Sequence, residues 1–349
     1  MDTITIANRP IGPGHPSFII AELSANHNHD LARAKRIVEA AADAGADAIK
    51  LQTYTADTLT FDSDSAEFRV DGTIWEGKTL YQLYQEASLP WAWHKPLMDH
   101  ARNLGLLAFS TPFDATAIEF LESLDVPAYK IASSELVDIP LIRRVAGLGK
   151  SMIISTGMGT LSEIDEAVQT ARAAGCDQII LLKCTAAYPA PIDEANLATL
   201  PHMAQLFGTV VGLSDHTPGS IAPVAATVLG GCVIEKHLTL SRADGGPDSA
   251  FSMEPQEFAA MVADVRAAER AIGQIRYEPT TKEMRSRDFR RSLFAVRDIP
   301  AGTPFTPENL RSIRPATGLH TRHYDSLLQS RASTHIKAGT PLSWGLVAQ

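Results

Sequence analysis

The sequence has little cysteine, no excess of positive charge and no long apolar run, and each shortage removes a class of protein. Cys176, Cys184 and Cys232 are odd in number and lack C-x-x-C spacing. That argues against a disulfide framework or a thiolate zinc site, and for a reducing compartment. A formal net charge of −9 makes nucleic acid and anionic membranes poor partners. An anionic substrate would then need a local basic pocket set against the global sign. No stretch approaches the roughly 18 uninterrupted apolar residues of a membrane span. The stretch MDTITIANRPIGPGHP lacks the basic and apolar regions of a secretion signal. These absences predict a soluble, cytoplasmic protein.

What is present is enough material for a substantial core. The chain has 349 residues, 45% of them hydrophobic and 20% charged, which predicts a large domain followed by a small one. From Phe18 to about Gly273 a short apolar strand alternates with an Ala-rich helical stretch. The strand segments are FIIAEL, AIKLQT, LLAFST, AYKIAS, SMIIST, IILLKC, VVGLSD and CVIEKH. Their continuous apolar character, rather than strict alternation, suits parallel strands covered by helices. Between them run segments such as ARAKRIVEAAADAGA, with helical spacing and a Gly45 stop. Eight such units predict an α/β fold, a (β/α)8 TIM barrel, in preference to a doubly wound open sheet.

One connection is long. Between Thr53 and Leu106 lie Phe61, Trp75, Tyr81, Tyr84, Trp91 and Trp93. A loop of this size serves as a lid or an oligomer contact as readily as plain surface packing. The polar stretch IRYEPTTKEMRSRDFRR reads as a linker, which divides the chain into a barrel over 1–274, a linker over 275–290 and a small module over 291–349. Within the module, RDIPAGTPFT and THIKAGTPLS share a pattern, an internal echo that predicts a compact, turn-rich β unit.

In a barrel, chemistry lies at the C-terminal ends of the strands. The polar residues cluster there: Glu22, Ser24 and Asn26; Lys50 and Gln52; Ser110 and Thr111; Lys130, Ser133, Ser134 and Glu135; Ser155 and Thr156; Lys183 and Tyr188; Ser214, Asp215 and His216; Glu235, Lys236 and His237. Lysine seldom enters an apolar strand unpaired. Lys50 and Lys130 therefore indicate an anion site at the mouth, or else a structural ion pair with a barrel glutamate. The hydroxyls of Thr111, Ser133, Ser155 and Ser214 suit phosphate or carboxylate oxygens. His216 and His237 end consecutive strands. Two imidazoles with carboxylate and water oxygens suit Mn²⁺, Fe²⁺ or Co²⁺ better than a closed zinc site. Asp248 follows a Gly-Gly-Pro turn, placed for a sugar-hydroxyl or metal-water contact unless it is a plain surface turn. Lys183 offers a different chemistry, a Schiff base, which would leave the histidines unexplained.

The segments IIAELSANHNHD, IKLQTYTADTLT, LAFSTPFD, YKIASSE, STGM, CTAAYPAP, GLSDHTPG and EKHLTLSRADGGPDSAFSM resemble the N-acetylneuraminate (sialic acid) synthase family. The C-terminal part resembles its antifreeze-like, or SAF, module, so the likeness covers essentially the whole chain. Within the family, GTIWEGKTLYQLYQEASLPWAWH and LSRADGGPDSAFSM resemble the pseudaminic acid synthase subgroup. The resemblance implies a phosphoenolpyruvate-dependent C–C bond-forming transferase. Phosphoenolpyruvate would condense with 2,4-diacetamido-2,4,6-trideoxy-altrose to a nine-carbon 2-keto sugar acid, with release of phosphate. An N-acetylneuraminate or legionaminic acid synthase, with another acceptor, is the neighbouring reading.

Carried over residue by residue, the resemblance makes Lys50, Thr111, Lys130, Ser133, Ser155 and Ser214 the phosphoenolpyruvate contacts. Glu22 becomes the catalytic acidic residue. Gln52, Tyr188, Glu235 and Asp248 fall on the acceptor side. His216 and His237 become ligands of a divalent metal, Mn²⁺ ahead of Mg²⁺ or Co²⁺. Arg314 becomes the arginine that reaches a partner's active site, which implies a domain-swapped homodimer. Ala186 departs from the polar residue usual two places before the tyrosine, so that contact is absent or supplied elsewhere. A non-catalytic sugar-binding protein is the reading from another class, and the set of charged strand-end residues speaks against it.

Overall fold

The computed structural model describes residues 3–348. Two compact units result, Met1–Gly273 and Gln274–Gln349. The first begins with a hairpin of β1 (Ile4–Ile6) and β2 (Arg9–Ile11). Ala7 and Asn8 join the strands with positive φ at both residues, 46° and 68°, the conformation a two-residue hairpin favours. Ile4, Ile6 and Ile11 are buried in the main core. Ser151 Oγ donates to Thr5 O at 3.1 Å, and Thr5 N donates to Gln178 Oε1 at 3.3 Å. The hairpin is thus tied to the N-terminal ends of two barrel strands.

The barrel strands are β3 (Phe18–Glu22), β4 (Ala48–Thr53), β5 (Leu107–Pro112), β6 (Ala128–Ile131), β7 (Ser151–Ser155), β8 (Ile179–Cys184), β9 (Val210–Asp215) and β10 (Val233–His237). They pair in chain order, all parallel, and β10 closes onto β3. The eight apolar runs become these eight strands. Both faces are covered, one by helices and one by the barrel interior, so the strands need no polar alternation. β6 stops at Ile131 because Ser133–Val137 turns into a 3₁₀ helix.

The helices follow from local chemistry. In Leu31–Asp43 the Asp30 side chain accepts from the backbone N–H of Ala32 and Arg33, satisfying donors left free at a helix start. Its Ala34, Ile37, Val38 and Ala41 stripe is buried, at helical spacing. Leu161–Ala173 opens with a Thr160–Glu163 capping box. The long connection is not a bare loop. It contains Leu80–Ala87 and the barrel helix Trp91–Asn103. Trp91 stacks on Phe120 and Trp93 packs against the main core, so these two aromatics are structural.

In the second unit, β11 (Ser292–Ala295) pairs antiparallel with β12 (Leu310–Ile313). The stretch 275–290 carries the helix Thr281–Ser286, started by a Thr280–Glu283 capping box. The sequence echo is a structural one. Ile299 and Ile336, equivalent in the two copies, pair with each other and exchange N–H···O bonds of 2.8 and 2.9 Å. Gly302 N donates to Ala332 O, and the equivalent Gly339 N donates to Ala295 O. Phe305 and Leu342, again equivalent, are buried in the small core of this unit. The unit is therefore folded about an internal pseudo-twofold.

Candidate active site

The register sets the charges. β3 against β4 puts Glu22 beside Lys50, and β9 against β10 puts Ser214 beside Glu235. Glu22, Lys50, Lys130 and Glu235 are all buried. Lys50 Nζ lies 2.5 Å from Glu22 Oε2 and 3.5 Å from Glu235 Oε1, and donates to Thr111 Oγ1 at 3.3 Å. Lys130 Nζ lies 3.8 Å from the same Glu235 oxygen and donates to Ser155 Oγ at 2.7 Å. Ser214 Oγ donates to Glu235 Oε1 at 3.2 Å. One oxygen of Glu235 thus meets three donors. The other, Oε2, is buried without a partner.

Burial and neighbours pull these groups in opposite directions. Burial raises the Glu22 pKa, and the Lys50 charge only partly offsets it. Burial alone would lower Lys50, but Glu22 and Glu235 outweigh it and its pKa is raised. Lys130 has less carboxylate around it, so burial prevails and its pKa falls. Burial would raise Glu235, but Lys130 and Lys50 hold it below its usual value. The result is a buried pair of cations that the protein's own carboxylates only partly occupy.

Beside this cluster sit the histidines. The rings of His216 and His237 are 5.3 Å apart between centroids. His216 Nδ1 is 3.0 Å from Thr185 O. A carbonyl only accepts, so Nδ1 carries the hydrogen. Burial would lower the His216 pKa, but Cys184 and the Thr185 carbonyl outweigh it and raise it, so Nε2 offers its lone pair once the ring has lost its second proton. His237 Nδ1 is buried with no partner. Burial, then the nearby His216, drives the His237 pKa well below its ordinary value, which keeps the ring neutral. Available lone pairs on neighbouring imidazoles suit a divalent metal. Among the described residues, no group of three or more His, Cys, Asp or Glu is arranged to hold a metal.

Lys50, Lys130, Ser133, Ser155, Ser214, Glu235, His216 and His237 line one cavity of about 410 Å³. Gln52, Tyr188 and Asp248 line it too. Gln52 Nε2 donates to Glu22 Oε1 at 3.1 Å. Asp248 accepts from Ser24 Oγ and, at 3.3 Å, from Ala25 N. Tyr188 lies 4.3 Å from the His216 ring. Ser133 Oγ accepts from Gly157 N at 3.0 Å. A Cβ on Gly157 would fall 2.7 Å from that oxygen, so only glycine permits this approach. Thr111 lies behind Lys50 and orients its ammonium. Lys183 does not line the cavity; its Nζ donates to Cys184 O at 2.8 Å and Thr185 Oγ1 at 3.3 Å. The Schiff-base alternative loses its support there. Arg314 is exposed on the second unit.

Further lining residues were given no specific role by the sequence. Glu135, grouped there with the strand-end charges, is one; burial pushes its pKa up to about 7, and its Oε2 has no partner. It follows a strand end, in a 3₁₀ turn without periodicity. Cys184 Sγ lies 3.8 Å from His216 Nδ1. Phe251 packs 4.9 Å from the His237 ring, and Trp75 5.6 Å from Tyr188. A separate groove of about 540 Å³ in the second unit is open and mixed in sign, with Arg276, Arg287 and Arg290 beside Glu278 and Glu283.

The same arrangement of strands and modules occurs in known proteins. The NeuB family model matches residues 37–277 and that of the SAF domain residues 290–348. A pseudaminic acid synthase of Helicobacter pylori is 46% identical over 94% of this chain and 97% of its own length. A pseudaminic acid synthase of Campylobacter jejuni is 44% identical over 94% and 96%. A solved N-acetylneuraminic acid (sialic acid) synthetase of Leptospira borgpetersenii superposes with a TM-score of 0.73 at 32% identity, covering 82% of this chain and 95% of that one. Taken with the closed barrel and its charged mouth, these matches place the chain in the NeuB family, with a SAF domain at its C-terminal end.

Proposed function

We propose that the protein is a pseudaminic acid synthase, a transferase that joins phosphoenolpyruvate to 2,4-diacetamido-2,4,6-trideoxy-altrose. The observation that carries this reading is the convergence of Lys50, Lys130, His216 and His237 on one cavity, together with relatives of that name at 44% identity and above. C3 of phosphoenolpyruvate bonds to the aldehyde carbon of the open-chain sugar. Water adds at C2, and the C2–O bond breaks so that phosphate leaves with the bridging oxygen.

Lys50 and Lys130, with Ser133, Ser155 and Ser214, hold the phosphate and carboxylate oxygens. Fixed cations in a dry cavity cost no reorganisation when charge shifts. Thr111 steadies Lys50. Glu22, paired with Lys50 at 2.5 Å, takes the proton of the attacking water. Gln52, Tyr188, Glu235 and Asp248 orient the acceptor, which brings the two carbons into a near-attack arrangement. His216 and His237 would hold a divalent metal, Mn²⁺ first among the choices, with other positions filled by water or substrate oxygens. Such an ion supplies Lewis acidity toward the aldehyde oxygen.

The reading extends to organisation. A barrel over 1–274, a linker over 275–290 and a SAF module over 291–349 would assemble as a domain-swapped homodimer, with Arg314 reaching the partner's acceptor. A cytoplasmic site is supported by three buried, unpaired thiols. No helix among the described residues is long and apolar enough to cross a membrane.

The test offers phosphoenolpyruvate and Mn²⁺ with the diacetamido-trideoxy-altrose, the corresponding legionaminic acid precursor and N-acetylmannosamine in parallel, and follows phosphate release. Fastest release with the altrose sugar is expected. Preference for either other acceptor overturns the assignment.

A further inference from the structure

The cavity has two unlike ends. Its floor is the ion cluster around Lys50 and Lys130. The opposite wall comes from the connection between β4 and β5, and includes Leu59, Val70, Trp75, Leu80 and Leu83, with Thr73 and Tyr84 its hydroxyl-bearing members; Thr73 Oγ1 already accepts from Trp75 N at 3.2 Å. Residues 70–78 of that connection form a small flap. At its base Arg69 bridges to Thr79, Val70 N donates to Lys78 O at 2.9 Å, and Gly77 N donates to Val70 O at 3.3 Å. Between 71 and 77 every residue is exposed except Trp75.

Trp75 crosses the cavity. Its Nε1 donates to Pro247 O at 2.7 Å, and its ring lies 5.6 Å from Tyr188 and 6.5 Å from Phe251. A side chain from the β4 side therefore reaches the segments after β8 and β10. Pro247 immediately precedes Asp248, already at the acceptor side. An indole in this position offers an apolar face while its one donor is satisfied.

The geometry of the reaction then fixes what the wall meets. The phosphate and carboxylate of phosphoenolpyruvate belong at the cationic floor. The aldehyde carbon of the acceptor must meet phosphoenolpyruvate there, so the far end of the sugar chain extends toward the flap. We propose that Trp75 selects the acceptor by that far end, closing an apolar wall over a 6-deoxy carbon and disfavouring a 6-hydroxyl. This rests on the reading of the reaction given above. A hydroxyl pressed against such a wall loses water without gaining a partner. Apolar pockets discriminate against an added hydroxyl by about 10²-fold at most, which bounds the effect.

The experiment uses the full-length, Mn²⁺-loaded enzyme and two acceptors that differ at one carbon: 2,4-diacetamido-2,4,6-trideoxy-altrose and its counterpart bearing a 6-hydroxyl. Phosphate release gives kcat/KM for each, and the KM for phosphoenolpyruvate is measured alongside. Trp75→Ala is expected to lower the preference for the deoxy sugar by about tenfold, with the phosphoenolpyruvate KM unchanged. Trp75→Phe is expected to keep most of the preference. An unchanged ratio in Trp75→Ala overturns the proposal, as does an equal loss on both sugars. A raised phosphoenolpyruvate KM also overturns it, since it would place Trp75 at the floor. Wild-type enzyme that turns over neither altrose sugar but accepts N-acetylmannosamine sinks the parent reading as well, and so separates the two failures.

Discussion

Lys130 and Lys236 are equally buried, each 1% exposed, yet their surroundings differ. Lys130 points into the barrel, where Glu235 Oε1 is 3.8 Å away and Glu235 Oε2 has no partner. Lys236 comes from the residue after Glu235 and so points to the other face of β10. It binds Asp215 and the Thr217 carbonyl. Asp215 in turn accepts from Thr217 N at 3.0 Å and Thr217 Oγ1 at 3.2 Å. The outer pair thus clamps the turn that carries His216. A buried ion pair with all its partners within the protein is scaffold. One with leftover polar atoms is waiting for something else to complete it.

That distinction is open to direct attack. Lys236→Met strands a buried carboxylate, and about 3–5 kcal/mol of stability should be lost in urea unfolding. The double variant Lys236→Met/Asp215→Leu should recover most of it. Loss of turnover at unchanged stability would erase the inner–outer contrast. Lys130→Met should act in the opposite sense, with kcat/KM for phosphoenolpyruvate falling by about 10²–10³-fold in steady-state assays.

Glu135 sharpens the contrast through pH. With its pKa pushed up to about 7 by burial, its charge changes near neutral pH. The pH–rate profiles of wild type and Glu135→Gln, which cannot ionise, should therefore diverge near pH 7. The folded-state value lies above the ordinary 4.5. The stability linked to this group is therefore complete below pH 4.5 and declines as pH rises through about 7. Glu135→Gln should accordingly gain thermal stability over wild type at pH 8 and lose that advantage at pH 4. The smallest effect is expected on the surface, where Arg242 NH1 meets Glu257 Oε2 at 2.5 Å. The Arg242 hydrogen bond holds the Glu257 pKa down at about 2. Its contribution is present above the ordinary carboxylate range and fades as pH falls toward 2. Because both groups are exposed, Glu257→Gln should cost under about 1 kcal/mol at neutral pH.

The barrel was legible because parallel strands buried on both faces leave continuous apolar runs, and eight of them stood in the sequence. The floor of the cavity was legible for the same reason, since Lys50 and Lys130 interrupt those runs. Lys236 shows where the reading stopped short. Strand-end position alone groups it with Glu235 and His237, although side chains alternate along a strand and Lys236 must face away from both. The Thr280–Glu283 capping box was also readable, and it marks a helix within the stretch taken as a linker. Trp75 stood among the aromatics of the long connection, but the partner it reaches was not legible. The indole lies in an aperiodic loop, and its hydrogen bond spans 172 residues.

The N-terminal hairpin has a consequence for traffic through the molecule. With Ile4, Ile6 and Ile11 buried in the main core, it packs at the strand starts beside Ser151 and Gln178, the end of the barrel away from the charged mouth. Phosphoenolpyruvate, held by the ion cluster at the floor of the cavity, lies deeper than the acceptor. On the proposed reaction, the liberated phosphate sits beneath the finished sugar acid and departs after it. Inorganic phosphate should therefore compete with phosphoenolpyruvate for the vacated floor.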